Sequence, residues 1–241
     1  MNINRILVLV LILFTKGSCF ALLRSTNYSS FFNRFESPKF NNINSEQNSE
    51  LQFEENKGQI RDFSDKVADR VAFIAEIGNT NIYLMKNGGV SWQFNHIIVP
   101  EKLIELSKNP SGRFENNAEL SELRSKVQIE SFRMDMQLIG ANQNPEIISE
   151  GKSKDYTHYY NYGILDVHRY NKLTYKDIYP NIDWVIYFDQ GNLKYDFIVR
   201  KGGDPSVIQL KYDNQEELML DDNGSLIQHS SMGCIVVKVF S

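Results

Sequence analysis

Four groups of side chains in this 241-residue sequence are of types that do chemistry. The first is His158 and His168, which stand near Asp155 and Asp166. A general base of the hydrolase kind needs an imidazole held by a carboxylate and aimed at a nucleophile. No Ser or Cys stands in an elbow motif, so these read as loop and strand-edge histidines. The second group is Asp183 and Asp196, on or beside expected strands. Two carboxylates held about 5–10 Å apart could cleave a glycosidic bond. Their settings, Tyr179-Pro180-Asn181-Ile182-Asp183 and Lys194-Tyr195-Asp196-Phe197, favour side chains that bond to local backbone N–H groups instead.

The third group is Asp221, Asp222 and Asn223 ahead of Gly224. Calcium takes oxygen ligands, but a binding loop spreads its six to eight oxygens over a longer run, and a hairpin turn explains all four residues. The fourth group is aromatic. Nine of the twelve tyrosines fall between residues 156 and 195. Tyr175, Trp184, Tyr187 and Tyr195 suit positions inside or across strands. Tyr156, Tyr159, Tyr160 and Tyr162 are less regularly placed and are the candidate binding residues, because exposed rings stack on sugar faces or anchor protein partners. No residue is assigned a catalytic role, no metal ligand is assigned, and no cofactor is called for.

The elements that must carry these residues are mainly β. Val71–Ile77 ends at Gly78, and Asn81–Met85 and Val90–Phe94 flank Lys86-Asn87-Gly88-Gly89, a hairpin signature. From Val127 to Ile139, Phe132, Met134, Met136 and Leu138 alternate with Arg133, Asp135 and Gln137, the cleanest period of two in the chain. A short strand begins at Ile147. Further strands are expected at Leu173–Tyr175, Asp183–Phe188, Leu193–Val199, Val207–Tyr212, Glu217–Leu220 and Ser225–Gln228, with turns at Pro180-Asn181, Asp189–Asn192 and Asp221–Gly224. Pro100 to Leu106 and Glu119 to Val127 fit two short helices, with a loop at Asn109–Gly112 between them. Short strands at this spacing predict an all-β fold: an antiparallel β-sandwich with one or two short helices.

Composition sets bounds on function. Hydrophobic residues are 41% and charged residues 23%, which excludes wholesale disorder. The net charge of −4 shows no basic excess, so no nucleic-acid partner is expected. Residues 1–21 read as a signal peptide: Arg5, then the apolar run Ile6–Phe14, then Gly17, Ser18 and Ala21. The run is too short to span a bilayer, which takes about 20 residues. Cleavage after Ala21 is the first choice and after Cys19 the second. Lys16 disfavours a lipid on Cys19. Cleavage removes Arg5 and Lys16 and no acid, taking the charge from −4 to −6. It also removes Cys19, which leaves Cys234 without an intramolecular partner. No membrane span is expected in the mature chain. Residues 22–50 are rich in Asn and Ser and read as a polar, flexible lead-in, with order beginning near Leu51.

Several phrases in this order resemble one family: Phe53–Gln59, Phe132–Asn142, Leu173–Asp183, Gly191–Val199 and Gly203-Asp204-Pro205. Together they resemble the N-terminal domain of unknown function found on exported Bacteroidetes proteins, often ahead of SBBP-type β-propeller repeats. The likeness covers about residues 51–233, which leaves 234–241 as an atypical or truncated tail. It implies a secreted or cell-surface protein, often sent out by type IX secretion, and carries no catalytic motif. It also implies further domains, and no such repeats stand before Ser241, so the chain reads as a fragment or a shortened product. The function expected is a non-catalytic N-terminal accessory or interaction module of an exported surface protein, adhesive in character, with a surface glycan or a protein as partner. The alternatives are a secreted glycan-active hydrolase using Asp183 and Asp196, and a structural cap for a following propeller.

Overall fold

The computed structural model describes residues 9–13, 51–62, 64–108, 117–222 and 224–240. The rest of the expected signal peptide, the expected lead-in over 22–50 and the expected loop at 109–112 lie outside them. In chain order the strands are β1 (Leu9–Leu13), β2 (Phe53–Glu55), β3 (Val71–Ile77), β4 (Thr80–Met85), β5 (Val90–Ile98), β6 (Gln128–Leu138), β7 (Ile147–Glu150) and β8 (Tyr156–Tyr159). Then come β9 (Ile164–Tyr170), β10 (Lys172–Tyr179), β11 (Ile182–Asp189), β12 (Asn192–Val199), β13 (Leu210–Asp213), β14 (Glu217–Leu220), β15 (Leu226–Ser230) and β16 (Gly233–Phe240). Two helices, α1 (Glu101–Lys108) and α2 (Asn117–Ser125), lie between β5 and β6.

The strands form two eight-stranded sheets, ordered β14-β15-β16-β1-β12-β11-β10-β7 and β13-β6-β5-β4-β3-β2-β9-β8. Every pairing is antiparallel. The fold is therefore all-β, two antiparallel sheets face to face with two short helices. The alternation along each strand explains the layering, since every second side chain of an antiparallel sheet can face the core. Trp92, Ile82, Met134 and Met136 from one sheet meet Trp184, Tyr175, Tyr195 and Phe197 from the other, all buried. Trp184 contacts Tyr175 and Tyr195 at ring centroid distances of 5.2 and 5.7 Å. Rings at these separations add to the burial of their area.

The turns show why particular residues stand where they do. Gly88 N–H donates to Met85 O and Met85 N–H to Gly89 O, and Gly88 alone in that loop has a left-handed φ of 85°. The loop is thus a type I turn closed by a glycine bulge, not the two-residue turn that Asn-Gly suggests. A Cβ on Gly88 would also sit 2.8 Å from Ile178, so both backbone and packing demand glycine. Asn181 takes φ 60° behind Pro180, as a type II turn requires.

Two stretches differ from expectation. The stretch read from the sequence as an atypical or truncated tail, 234–241, carries a strand over most of its length: β16 pairs with β15 and buries Ile235 and Val237. Cys234, left without a partner in the sequence reading, is disulfide-bonded in the full chain. Leu9–Leu13, within the run read from the sequence as part of a signal peptide, is a strand between β12 and β16. Among the described residues no helix is long and apolar enough to cross a membrane.

Candidate functional site: an aromatic strip on a sheet edge

The four candidate tyrosines gather at one edge. β8 is the last strand of its sheet and pairs with β9, Tyr156 opposite His168 and Thr157 opposite Val167. A single 3-10 turn, Tyr160–Tyr162, then leads through Gly163, at φ 64°, into β9. Tyr156 and His158 stand on β8 and Tyr160 opens the turn, and their rings form a row. The Tyr156 and His158 rings lie 4.9 Å apart, and His158 and Tyr160 lie 5.4 Å apart. His168 meets Tyr156 edge-on at 5.6 Å. Tyr156, Tyr160 and Tyr162 are 52%, 76% and 44% exposed. Arg61 lies 4.3 Å over the Tyr162 ring, a cation–π contact that fixes the ring's face.

Tyr159 faces the other way. Its hydroxyl donates to Glu54 Oε1 at 2.5 Å, and Arg169 holds Glu54 Oε2 at 2.9 Å. Burial and then the Glu54 hydrogen bond push the Tyr159 hydroxyl well above the usual tyrosine range. This half-buried tyrosine–glutamate–arginine group ties β8 and β9 to β2. Tyr159 thus positions the strip, while Tyr156, Tyr160 and Tyr162 present surface.

The histidines have defined tautomers. Asp166 N–H donates to His158 Nδ1 at 3.1 Å, so this nitrogen is an acceptor and Nε2 carries the proton in the neutral ring. His168 Nδ1 lies 3.3 Å from the Ser153 carbonyl, which can only accept, so Nδ1 carries the proton there. A triad histidine donates Nδ1–H to a carboxylate and faces a hydroxyl with Nε2. Asp166 Oδ1 stands 4.0 Å from His158 Nδ1, a nitrogen already engaged as an acceptor. Both imidazoles therefore belong to the strip's surface chemistry, one offering a donor and the other an acceptor.

Asp183 and Asp196 share the outer face of the other sheet. Asp183 lies opposite Ile198 and Val185 opposite Asp196, which makes the two residues diagonal neighbours, with backbone positions about 7–8 Å apart. Their surroundings differ. Asp183, 5% exposed, accepts from Lys176 Nζ and from Asp177 N–H at 2.9 Å, and Arg200 Nη2 lies 3.2 Å away. Asp177 sits at φ 47° where the β10–β11 register shifts, so Asp183 clamps a bulge. Asp196, 9% exposed, accepts from the Tyr187 hydroxyl at 3.1 Å, and its Oδ1 is buried without a partner. Burial raises the Asp196 carboxyl above its ordinary value. Burial and the Asp196 charge push the Tyr187 hydroxyl up to about 12. Two surface depressions, of about 560 and 380 Å³, are lined by Gly140–Asn142 with Asp177–Asn181, and by Glu55, Asn56, Lys86 and their neighbours, and neither includes Asp183 or Asp196.

Asp221 serves its turn, accepting Ser225 N–H on Oδ1 at 2.7 Å while Gly224 N–H donates to its carbonyl. Among the described residues no cluster of three or more His, Cys, Asp or Glu side chains could hold a metal ion. The sequence reading missed Arg61, His158 and His168 as parts of the aromatic surface. The spacing of two through Tyr156, His158 and Tyr160 was the signal that could have found one of them. Arg61 and His168 come from other elements, and no local pattern points to them.

Fold and strip together define a β-sandwich domain with an exposed aromatic edge. The chain belongs to a family described as a domain of unknown function, DUF7948, whose model matches residues 53–239. No curated protein and no solved structure matches it.

Proposed function

We propose that this chain is a non-catalytic interaction module of an exported bacterial surface protein, adhesive in character, which binds surface glycan through the strip Tyr156–His158–Tyr160 and the neighbouring Tyr162. The observation that carries the reading is the row of contacting rings at the sheet edge, exposed Tyr156 and Tyr160 on either side of half-buried His158. Tyrosine faces stack on the apolar faces of sugar rings, and the imidazole N–H and lone pair supply hydrogen bonds to hydroxyls. The leader sequence and the likeness to N-terminal domains of exported Bacteroidetes proteins support the export, the surface location and the type IX route. They also support a place ahead of SBBP-type propeller repeats.

The test is a glycan array probed with the full chain and with Tyr156→Ala/Tyr160→Ala. The native chain is expected to bind a set of surface glycans, and the double variant to lose at least about tenfold in affinity with its circular dichroism unchanged, as truncated aromatic anchors do. Equal binding by both, or binding only to a protein partner, counts against the glycan reading. A second reading, glycan hydrolysis by Asp183 and Asp196, draws on their shared face and the raised Asp196 carboxyl. It requires product release that Asp196→Asn abolishes, whereas the binding reading expects that variant to bind unchanged.

A further inference from the structure

We propose that β12 and β16 flank a strand-acceptor slot whose occupant is the leader's own Leu9–Leu13: the segment fills the slot in the uncleaved chain, and after cleavage the slot still takes it as a separate peptide. The inference rests on the reading of residues 1–21 as a leader. β1 has five apolar residues and is hydrogen-bonded on both sides. Val10 registers with Tyr195 and Val239, Leu11 with Lys194 and Lys238, and Ile12 with Leu193 and Val237. It alone joins β14-β15-β16 to the rest of its sheet. Cleavage after Ala21, with reduction of the disulfide at Cys234, would take away a middle strand rather than an edge.

The walls of the slot are held independently of β1. β12 pairs along its whole length with β11, Asn192 to Val199 against Asp189 to Ile182. β16 pairs with β15 and puts Ile235 and Val237 into the core. Its first residue is fixed twice. Gly233 N–H donates to Ser230 Oγ at 3.1 Å, and a Cβ on Gly233 would lie 3.0 Å from the Phe94 ring of the opposite sheet. Both strands run antiparallel to β1 and hence parallel to each other, so closing the gap would take a shift of one wall by a strand width, about 4.8 Å, and a parallel pairing in an otherwise antiparallel sheet. Left open, the gap presents two unpaired backbone edges beside Leu193, Tyr195 and Val237, a surface that an extended chain covers by β-augmentation. The occupant chemistry follows from β1: an extended apolar segment of five residues or more, free of proline, antiparallel to both walls.

The full-length gene is expressed in an exporting host, and the N-terminus of the recovered chain is determined. A Lys-flanked peptide carrying residues 6–15 is then added under reducing conditions, with a Leu11→Pro version as control. Amide exchange is followed in β12 and β16, together with the thermal midpoint. The proposal expects a chain starting after residue 19 or 21 whose amides at 193–195 and 236–240 exchange at least about tenfold more slowly with the peptide. It expects one peptide bound per chain, a higher midpoint, and at least about tenfold weaker binding of the proline version, because proline removes a ladder donor. A cleaved chain that ignores the peptide, that binds the proline version equally well, or whose slot amides are already protected by a second copy or by closure overturns the acceptor slot and leaves the leader reading intact. A chain recovered with Met1 in place overturns the leader reading and the acceptor with it, and makes β1 a permanent strand.

Discussion

Burial raises the Asp196 carboxyl, and Tyr187 and Lys194 only partly oppose it. For a carboxyl whose folded pKa lies above its unfolded value near 3.8, the contribution to stability is complete below that pH and is lost as pH rises through the folded value. Asparagine at this position still accepts from Tyr187 and never ionises. Asp196→Asn is therefore expected to raise stability at neutral pH by about 1 kcal/mol, with the gap closing as melts are taken toward pH 3.8. Gln228 is fully buried on β15, and neither of its amide atoms has a partner. Gln228→Leu is expected to stabilise the fold by about 1–2 kcal/mol in denaturant titration, since burying an amide without partners costs that order. At this scale the alternation of Tyr156, His158 and Tyr160 was legible in the sequence. The opposite parity of Tyr159 was equally legible, yet its partner Glu54 lies 105 positions away and no local pattern points to it.

The excursion between β5 and β6 is an insertion in a hairpin. Ile98 and Gln128 stand directly opposite each other, so the ends of the inserted segment are one strand width apart. Replacing residues 99–127 by Asn-Gly is expected to leave a cooperative unfolding transition and an unchanged β signature in circular dichroism. A loss of cooperativity would show that α1 and α2 belong to the core. β6 was readable almost to the residue, 127–139 against Gln128–Leu138, because its two faces differ sharply in polarity. β9 was missed: Ile164-Leu165-Asp166-Val167-His168-Arg169-Tyr170 mixes polarity, and Asp166 sits at φ 56°. β1 was read as leader alone, because a continuous apolar run suits an export signal and a strand in mid-sheet equally well.

Sheet order belongs to the whole molecule. β2, near residue 53, joins β3 to β9, and β13 returns to pair with β6, so neighbours in the sheets are far apart in sequence. Turn chemistry and alternation establish a sandwich without fixing which strands adjoin, and that adjacency anchors the strip by setting β2 and its Glu54 beside β9. The central claim is that this edge is a glycan-binding surface, and it is tested most directly by ring resonances. The full chain is titrated with the best ligand from the array while the aromatic signals of Tyr156, His158, Tyr160 and Tyr162 are followed by NMR. The account predicts that these four shift together and saturably while the buried Trp92 and Trp184 stay still. Silence at the four rings, or shifts centred on Asp183 and Asp196, would contradict it.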